Sequence, residues 1–152
     1  FYKNGSWNSL TLPFDLDDFV GTPLEGASVR ELKSVECSGN TMTLKFSAVA
    51  SIKAHRPYIV RWDEGDDLQN PVFSGVTIQD GSPVKVTMSN GNEEIIAFVG
   101  VYDPLTLKAN DRNKLFFGTD SKLYWPSSDV PVYSNFAYFQ LYNTTYTNVV
   151  IR

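Results

Sequence analysis

The chain has 152 residues, of which 42% are hydrophobic and 14% aromatic, and its net charge is −4. This composition is typical of a globular domain and excludes a disordered chain. The acidic balance and the lack of any Lys/Arg run argue against nucleic-acid binding, which needs a basic surface. No apolar stretch approaches the roughly 20 residues of a membrane helix, so we expect no membrane span. The single cysteine, Cys37, excludes an internal disulfide.

The segment GSWNSLTLPFDL, residues 5–16, has the alternation of a β-strand. One face of this strand would carry three apolar residues, Leu10, Leu12 and Phe14. The other face would carry Trp7 beside two small polar residues, Ser9 and Thr11. We expect Trp7 to be mostly buried, either because both faces of its sheet are covered or because a bulge after Gly5 moves it onto the apolar face.

Further strand patterns follow, separated by turn residues, and together they predict about ten strands. They cover residues 29–36, 41–48, 57–62, 72–78, 84–88, 95–102, 114–117, 123–125, 136–142 and 146–151. Residues 29–36 also fit a short helix, because Ser28 and Glu31 have capping-box spacing, but we favour a hairpin with 41–48. Residues 95–102 are apolar on both sides, which is typical of a central strand.

This pattern predicts an all-β domain of two packed antiparallel sheets, a β-sandwich with the jelly roll as one arrangement. Residues 15–20 and 105–113 are short pieces that could each hold a helical turn. Both ends of the chain have strand-like sequences. We therefore expect residues 1–152 to form one module taken from a longer polypeptide.

Aromatic residues are the main candidates for ligand binding. Alternation in 136–142 places Ala137, Phe139 and Leu141 on a core face and an aromatic stripe on the other: Phe136, Tyr138, Gln140 and Tyr142. Flat rings of this kind can stack on sugar rings, and Trp62 and Trp125 are further candidates. The alternative is that the strand is central and the stripe packs under a neighbouring layer.

Titratable residues offer no clear catalytic set. His55, the only histidine, is expected in an exposed loop. The acidic turn at 63–67 could supply Ca²⁺ with oxygen ligands from Asp63, Asp66 and Asp67, although it does not match an EF-hand loop. A glycoside hydrolase would need two carboxylates facing each other across a cleft. No other cofactor is expected, because the sequence contains neither of the glycine-rich phosphate-binding motifs, GxxxxGK(S/T) and GxGxxG.

An ordered set of segments resembles a known family: WNSLTLPFDL, TPLEGASVREL, RPYIVRW, NPVFSGVTI, FVGVYDP, LYWPSSD and NFAYFQL. The chain is similar to the β-sandwich domain near the C-terminal end of large secreted or surface proteins of Bacteroidetes, which often follows leucine-rich or immunoglobulin-like repeats. The matching positions are core and turn residues, such as Trp7, Pro13 and Tyr138. The family often has Cys where this chain has Thr11, so no role for that thiol is carried over.

The resemblance implies an extracellular or cell-surface module, and the lack of a catalytic set in the sequence favours one that does not itself catalyse a reaction. Its expected role is accessory or adhesive. Its expected partners are neighbouring domains of the same polypeptide and a glycan or a host or cell-surface protein. A carbohydrate-binding module that uses the aromatic stripe is the alternative, and a glycoside hydrolase is a third possibility.

Overall fold

The computed structural model describes residues 1–152, and its regular secondary structure is entirely β. This confirms the predicted all-β class, and the number of strands is close to the ten expected. The twelve strands are β1 (Asn8–Thr11), β2 (Ser28–Ser38), β3 (Thr41–Ala48), β4 (Pro57–Arg61), β5 (Lys85–Asn90), β6 (Glu93–Gly100), β7 (Leu105–Leu107), β8 (Lys114–Phe117), β9 (Leu123–Tyr124), β10 (Val130–Val132), β11 (Ala137–Leu141) and β12 (Asn148–Ile151).

Two five-stranded sheets pack against each other as a sandwich. The first sheet has the order β1-β4-β2-β3-β12 and the second β5-β6-β11-β8-β9. All pairs are antiparallel except β12, which runs parallel to β3. A small third sheet pairs β10 with β7. No helix in the structure has the length and apolar character needed to cross a lipid bilayer.

The main core lies between the two large sheets. Phe98 on β6 stacks on Phe139 on β11, with ring centroids 4.5 Å apart, and Phe46 on β3 meets Phe98 edge-on at 5.9 Å. All three side chains are buried. Burial of such rings is the largest favourable contribution to folding, and offset or edge-to-face contacts add about 0.5–1.5 kcal/mol per pair.

Strand β1 is buried on both of its faces, which explains the position of Trp7. Trp7 is 9% exposed and belongs to the core between the large sheets. Leu10 on the opposite face belongs to a second apolar cluster with Leu12 and Phe14, formed where the segments around residues 12–27 and 62–76 cover the outer face of the first sheet. The predicted burial of Trp7 is therefore confirmed. Covering of both faces, and not a shift onto the apolar face, is the reason.

The polar residues of β1 join the two large sheets at one edge. The Ser9 hydroxyl accepts a hydrogen bond from the Ala137 N–H at 2.9 Å and donates to the Ala137 carbonyl at 3.1 Å. The Thr11 N–H donates to the Asn135 carbonyl at 2.7 Å, and the Asn135 side chain donates back to the Thr11 carbonyl. These bonds give buried backbone groups partners that strand pairing does not supply.

Several local predictions are confirmed by the sheet pairing. β2 and β3 form the expected antiparallel hairpin and not a helix. β6 is central, between β5 and β11, and its residues 95–98 are buried.

Two other local predictions are wrong. Residues 72–78 form no strand, because their backbone has no hydrogen-bond partner. Side chains attach this segment to the domain, as Phe73 does by packing on Phe14 with ring centroids 5.1 Å apart. No helical turn forms in 15–20 or 105–113. Leu16 instead forms a β-bridge with Ile52, and Leu105–Leu107 is β7.

Candidate functional site

The aromatic stripe of β11 lies on the outer face of the second sheet. Ala137, Phe139 and Leu141 are buried in the main core, as the alternation predicts. On the other face, Phe136, Tyr138 and Gln140 are half-buried, and Tyr142 is 44% exposed. Only Tyr142 of the predicted stripe therefore presents a largely open side chain to solvent.

The small β7–β10 sheet covers the upper part of this stripe. Phe136 and Tyr138 pack against a third apolar cluster formed by Val101, Leu107 and Val132. Desolvation in this position raises the pKa of Tyr138 above its usual value. Further along the strand, the Gln140 amide is engaged by a 3.1 Å hydrogen bond to the Asn113 carbonyl. The stripe thus packs partly under a neighbouring layer, and it does not form a flat open platform.

The two tryptophans predicted as ligand residues occupy separate environments. Trp62 is 4% exposed in the second apolar cluster, and its indole N–H donates to the Glu25 carbonyl at 3.1 Å. Its ring is therefore not accessible for stacking. Trp125 is half-buried, donates to the Arg112 carbonyl at 2.9 Å, and lies under the Arg112 guanidinium, 4.5 Å from the ring centroid. Neither indole joins the β11 stripe in one surface.

The acidic turn at 63–67 is exposed, and its carboxylates point to different partners. Asp67 accepts a hydrogen bond from the Lys3 N–H at 2.9 Å, and Asp63 lies 3.9 Å from Nε of Arg61. No three His, Cys, Asp or Glu side chains of the chain form a metal-binding group. The calcium prediction for Asp63, Asp66 and Asp67 therefore has no support from the geometry, because Ca²⁺ needs six or more converging oxygens.

His55 is half-buried, which corrects the expectation of an exposed loop residue. Its Nδ1 lies 2.6 Å from the Tyr102 hydroxyl, and its Nε2 lies 3.2 Å from the Asp80 carbonyl. A Cβ at Gly81 would approach the imidazole to 2.8 Å, so the loop passes directly over the ring. Through these contacts His55 links the start of β4 to the loop before β5, which is a structural role.

A cleft of about 380 Å³ lies between the N-terminal segment and the β10–β11 turn. We call it the tyrosine cleft, because Tyr2 and Tyr133 are its most exposed rings, at 61% and 60%. Phe116 and Phe136 contribute further aromatic surface. None of its lining residues is charged, and the polar ones carry amide or hydroxyl groups: Asn4, Ser6, Asn8, Ser9 and Thr119.

Asn8 positions the first wall of the tyrosine cleft. Its side-chain Oδ1 accepts the Tyr2 N–H at 3.0 Å, and its Nδ2 donates to the Tyr2 carbonyl at 3.0 Å. A single amide thus binds both backbone groups of Tyr2, as a neighbouring strand would. Ser6 is fixed as well, because its hydroxyl donates to the Thr119 carbonyl. Asn8 therefore fixes the backbone of Tyr2, and the Ser6–Thr119 hydrogen bond ties the N-terminal segment to the turn between β8 and β9 of the second sheet.

The second wall comes from the turn between β10 and β11. This turn is closed by the Phe136 N–H, which donates to the Tyr133 carbonyl at 3.3 Å. Asn135 adopts a left-handed conformation there, with φ of 72°, a conformation that asparagine tolerates better than most residues. Tyr133 is displayed at the outside of this turn.

Four polar groups of the tyrosine cleft have no partner within the chain. They are the hydroxyls of Tyr2 and Tyr133, Nδ2 of Asn4 and Oγ1 of Thr119; no hydrogen bond involves them, whereas Oδ1 of Asn4 accepts the Ser6 N–H at 3.0 Å. Such groups are free to donate to or accept from a ligand. Tyr2 and Tyr133 were not among the predicted site residues. Tyr133 beside the turn residues Ser134-Asn135 was the one sequence signal for an exposed ring.

The other two large cavities have different linings. One of about 540 Å³ is mainly apolar, and Phe1, Phe14, Phe73 and Phe136 contribute to its walls. The other, of about 400 Å³, contains one carboxylate, Asp103. The paired carboxylates of a glycoside hydrolase are thus absent from these three cavities.

Perturbed carboxyl groups also fail to mark an acid catalyst. Hydrogen bonds hold the pKa of each shifted carboxyl below its usual value, as the Ala54 N–H does for Asp15 and the Tyr124 hydroxyl for Asp120. The same direction holds for Glu36, Asp111 and Asp129. A general acid that works near neutral pH needs the opposite shift.

Comparison with known proteins adds no relative. No family model, no curated protein and no solved structure matches the chain. The resemblance to the Bacteroidetes surface domain therefore depends on the ordered sequence segments alone.

Proposed function

We propose that this domain is a non-catalytic accessory module of an extracellular bacterial protein and that it binds a glycan in the tyrosine cleft. The extracellular setting is supported by the resemblance of the sequence segments. The glycan-binding role is supported by the cleft itself. The proposal joins the expected accessory role to the carbohydrate-binding alternative, and it places the glycan in the tyrosine cleft and not on the β11 stripe.

The observation that carries the proposal is the uncharged, ring-lined cleft with unpartnered hydroxyl and amide groups. A pyranose ring has an apolar face that stacks on an aromatic ring, and hydroxyls that pair with amides and hydroxyls. Tyr2 and Tyr133 provide exposed rings, and Asn4 and Thr119 provide free polar atoms. Asn8 holds the backbone of Tyr2 and the β10–β11 turn holds that of Tyr133, so little backbone ordering entropy is lost when a ligand binds.

A glycan array compared across variants tests the proposal. Tyr133→Ala removes one stacking ring, and we expect it to weaken binding of the retained glycans by about fivefold, since a stacked ring contributes about 1 kcal/mol. Tyr142→Ala is the matched control, because Tyr142 is similarly open but does not line the cleft. Equal binding by wild type and Tyr133→Ala, or equal losses in both variants, would refute the assignment of the cleft.

A second candidate function is a contact with a neighbouring domain of the same polypeptide. The observation that favours it is the segment 69–78, whose backbone and side chains make no hydrogen bonds within the chain and which exposes Val72 and Ile78, at 77% and 64%. Hydrogen exchange of this segment in the isolated domain and in the longer polypeptide tests it. Protection of 69–78 only in the longer polypeptide would support the contact, and equal exchange would exclude it.

A further inference from the structure

Two arginines share one neighbour, the ring of Trp7. The guanidinium carbon of Arg61 lies 4.7 Å from the centroid of the Trp7 ring, and that of Arg30 lies 5.3 Å from it. Arg61 is on β4 and Arg30 on β2, and these strands are adjacent in the first sheet. Trp7 also lines the tyrosine cleft, so the arginine pair and the cleft meet at this residue.

The positive charge of this pair is poorly neutralised within the chain. Arg30 takes part in no salt bridge and no side-chain hydrogen bond, whereas Lys45, Lys108 and Lys114 each have a carboxylate partner. Arg61 has only Asp63, whose carboxylate is 3.9 Å away and 93% exposed. Such an exposed pair contributes little. Two like charges beside one ring, with one exposed carboxylate as their only counter-charge, form a site that favours an anion.

One part of the Arg61 side chain is open to solvent and another part is not. Its Nε is buried and has no hydrogen-bond partner, although the side chain as a whole is 34% exposed. The guanidinium is thus held by the Trp7 ring while solvent reaches another part of it. The solvent-exposed N–H groups of a guanidinium bind carboxylates through a planar fork.

We propose that Arg61, assisted by Arg30, binds the carboxylate of an acidic saccharide whose ring occupies the tyrosine cleft. This inference rests on the proposed function, and it narrows the ligand class from glycans in general to those that contain uronic acid. The uncharged cleft would hold the ring and its hydroxyls. The arginines beside Trp7 would hold the acid group.

Two sugar probes that differ only in charge test the proposal. One is an oligosaccharide of glucuronate, and the other is the same oligosaccharide with its carboxyls reduced to hydroxymethyl groups. In calorimetry, we expect Arg61→Gln to weaken the acidic probe by about tenfold to a hundredfold and the reduced probe by less than about threefold. Arg112→Gln is the matched control, because the Arg112 guanidinium lies over another indole, that of Trp125.

Equal affinity of the wild-type protein for the two probes would overturn the proposal. So would an equal loss for both probes in Arg61→Gln, since that pattern means that Arg61 only supports Trp7. Arg61→Lys separates charge from fork geometry, and we expect it to restore only part of the affinity.

A separate titration distinguishes failure of the arginine site from failure of the cleft. Acetate, compared with chloride at equal ionic strength, should shift the NMR signal of the Arg61 guanidinium and not that of Arg112. If this shift occurs while neither sugar probe binds, the carboxylate site stands and the tyrosine cleft is not a glycan site. Without an acetate-specific shift, Arg61 is not an anion site and the proposal fails.

Discussion

Ser9→Ala is expected to destabilise the domain by removing one oxygen atom. The Ser9 side chain is buried, and its hydroxyl binds both the N–H and the carbonyl of Ala137. Alanine leaves these two backbone groups without that partner, and an unsatisfied buried group costs about 1–3 kcal/mol. We therefore expect a loss of about 2 kcal/mol in the free energy of unfolding.

Urea denaturation followed by tryptophan fluorescence measures this loss. A change of about 2 kcal/mol corresponds to a fall in melting temperature of roughly 4–8 °C for a chain of this size. Ser34→Ala is the matched control, since Ser34 lies in the part of β2 that pairs with β3 alone, is exposed, and has no side-chain hydrogen bond. If Ser9→Ala and Ser34→Ala share one denaturation midpoint at the same slope, the hydroxyl does not join the sheets as argued.

Two further changes probe the same junction and the charged surface. At Gly100, a Cβ would lie 2.6 Å from the Thr11 side chain, so Gly100→Ala should lower the free energy of unfolding by about 1–3 kcal/mol in urea denaturation. Adding Thr11→Ala should recover part of that loss. Strictly additive losses in the double variant would contradict the clash. At Asp129, the hydrogen bond from the Ala109 N–H lowers the carboxyl pKa below 3.8, its value in the unfolded chain. The ionised carboxylate therefore stabilises the fold fully above pH 3.8, and this contribution is lost as the pH falls through the lower pKa of the folded state. Asp129→Asn should therefore shift the urea midpoint at about pH 6 and not at about pH 2, whereas an equal shift at both would show that ionisation of Asp129 is not responsible.

Much of the fold was predictable because the strand period is local. In 41–48 and 136–142, alternate side chains are buried as the sequence indicates, since a strand with one covered face needs apolar residues at every second position. Residues 72–78 carry the same kind of sequence but form no strand. A strand forms only where a neighbouring strand offers free backbone N–H and C=O groups, and the side-chain pattern of a segment does not predict whether the fold provides such a neighbour.

The candidate site was less predictable because distant segments assemble it. Tyr2 and Tyr133 stand at opposite ends of the chain, and the contacts that place them involve Asn8 and the turn at Asn135. The predicted stripe contributes only Phe136 to the tyrosine cleft, since the small β7–β10 sheet covers Tyr138. Trp62 was a reasonable candidate by composition, but residues around 62–76 fold over the first sheet and bury it.

The double burial of β1 connects the fold to the proposed site. Covering its outer face with a second apolar cluster turns Trp7, Ser9 and Thr11 toward the second sheet. Ser9 and Thr11 then tie β1 to residues 135–137, which fixes the β10–β11 turn that carries Tyr133. On the same face, the Trp7 ring contacts the guanidinium groups of Arg30 and Arg61, and Trp7 also lines the cleft. The large residue on the polar side of the first strand is therefore a structural residue, and its burial brings the aromatic and the cationic parts of the candidate site together.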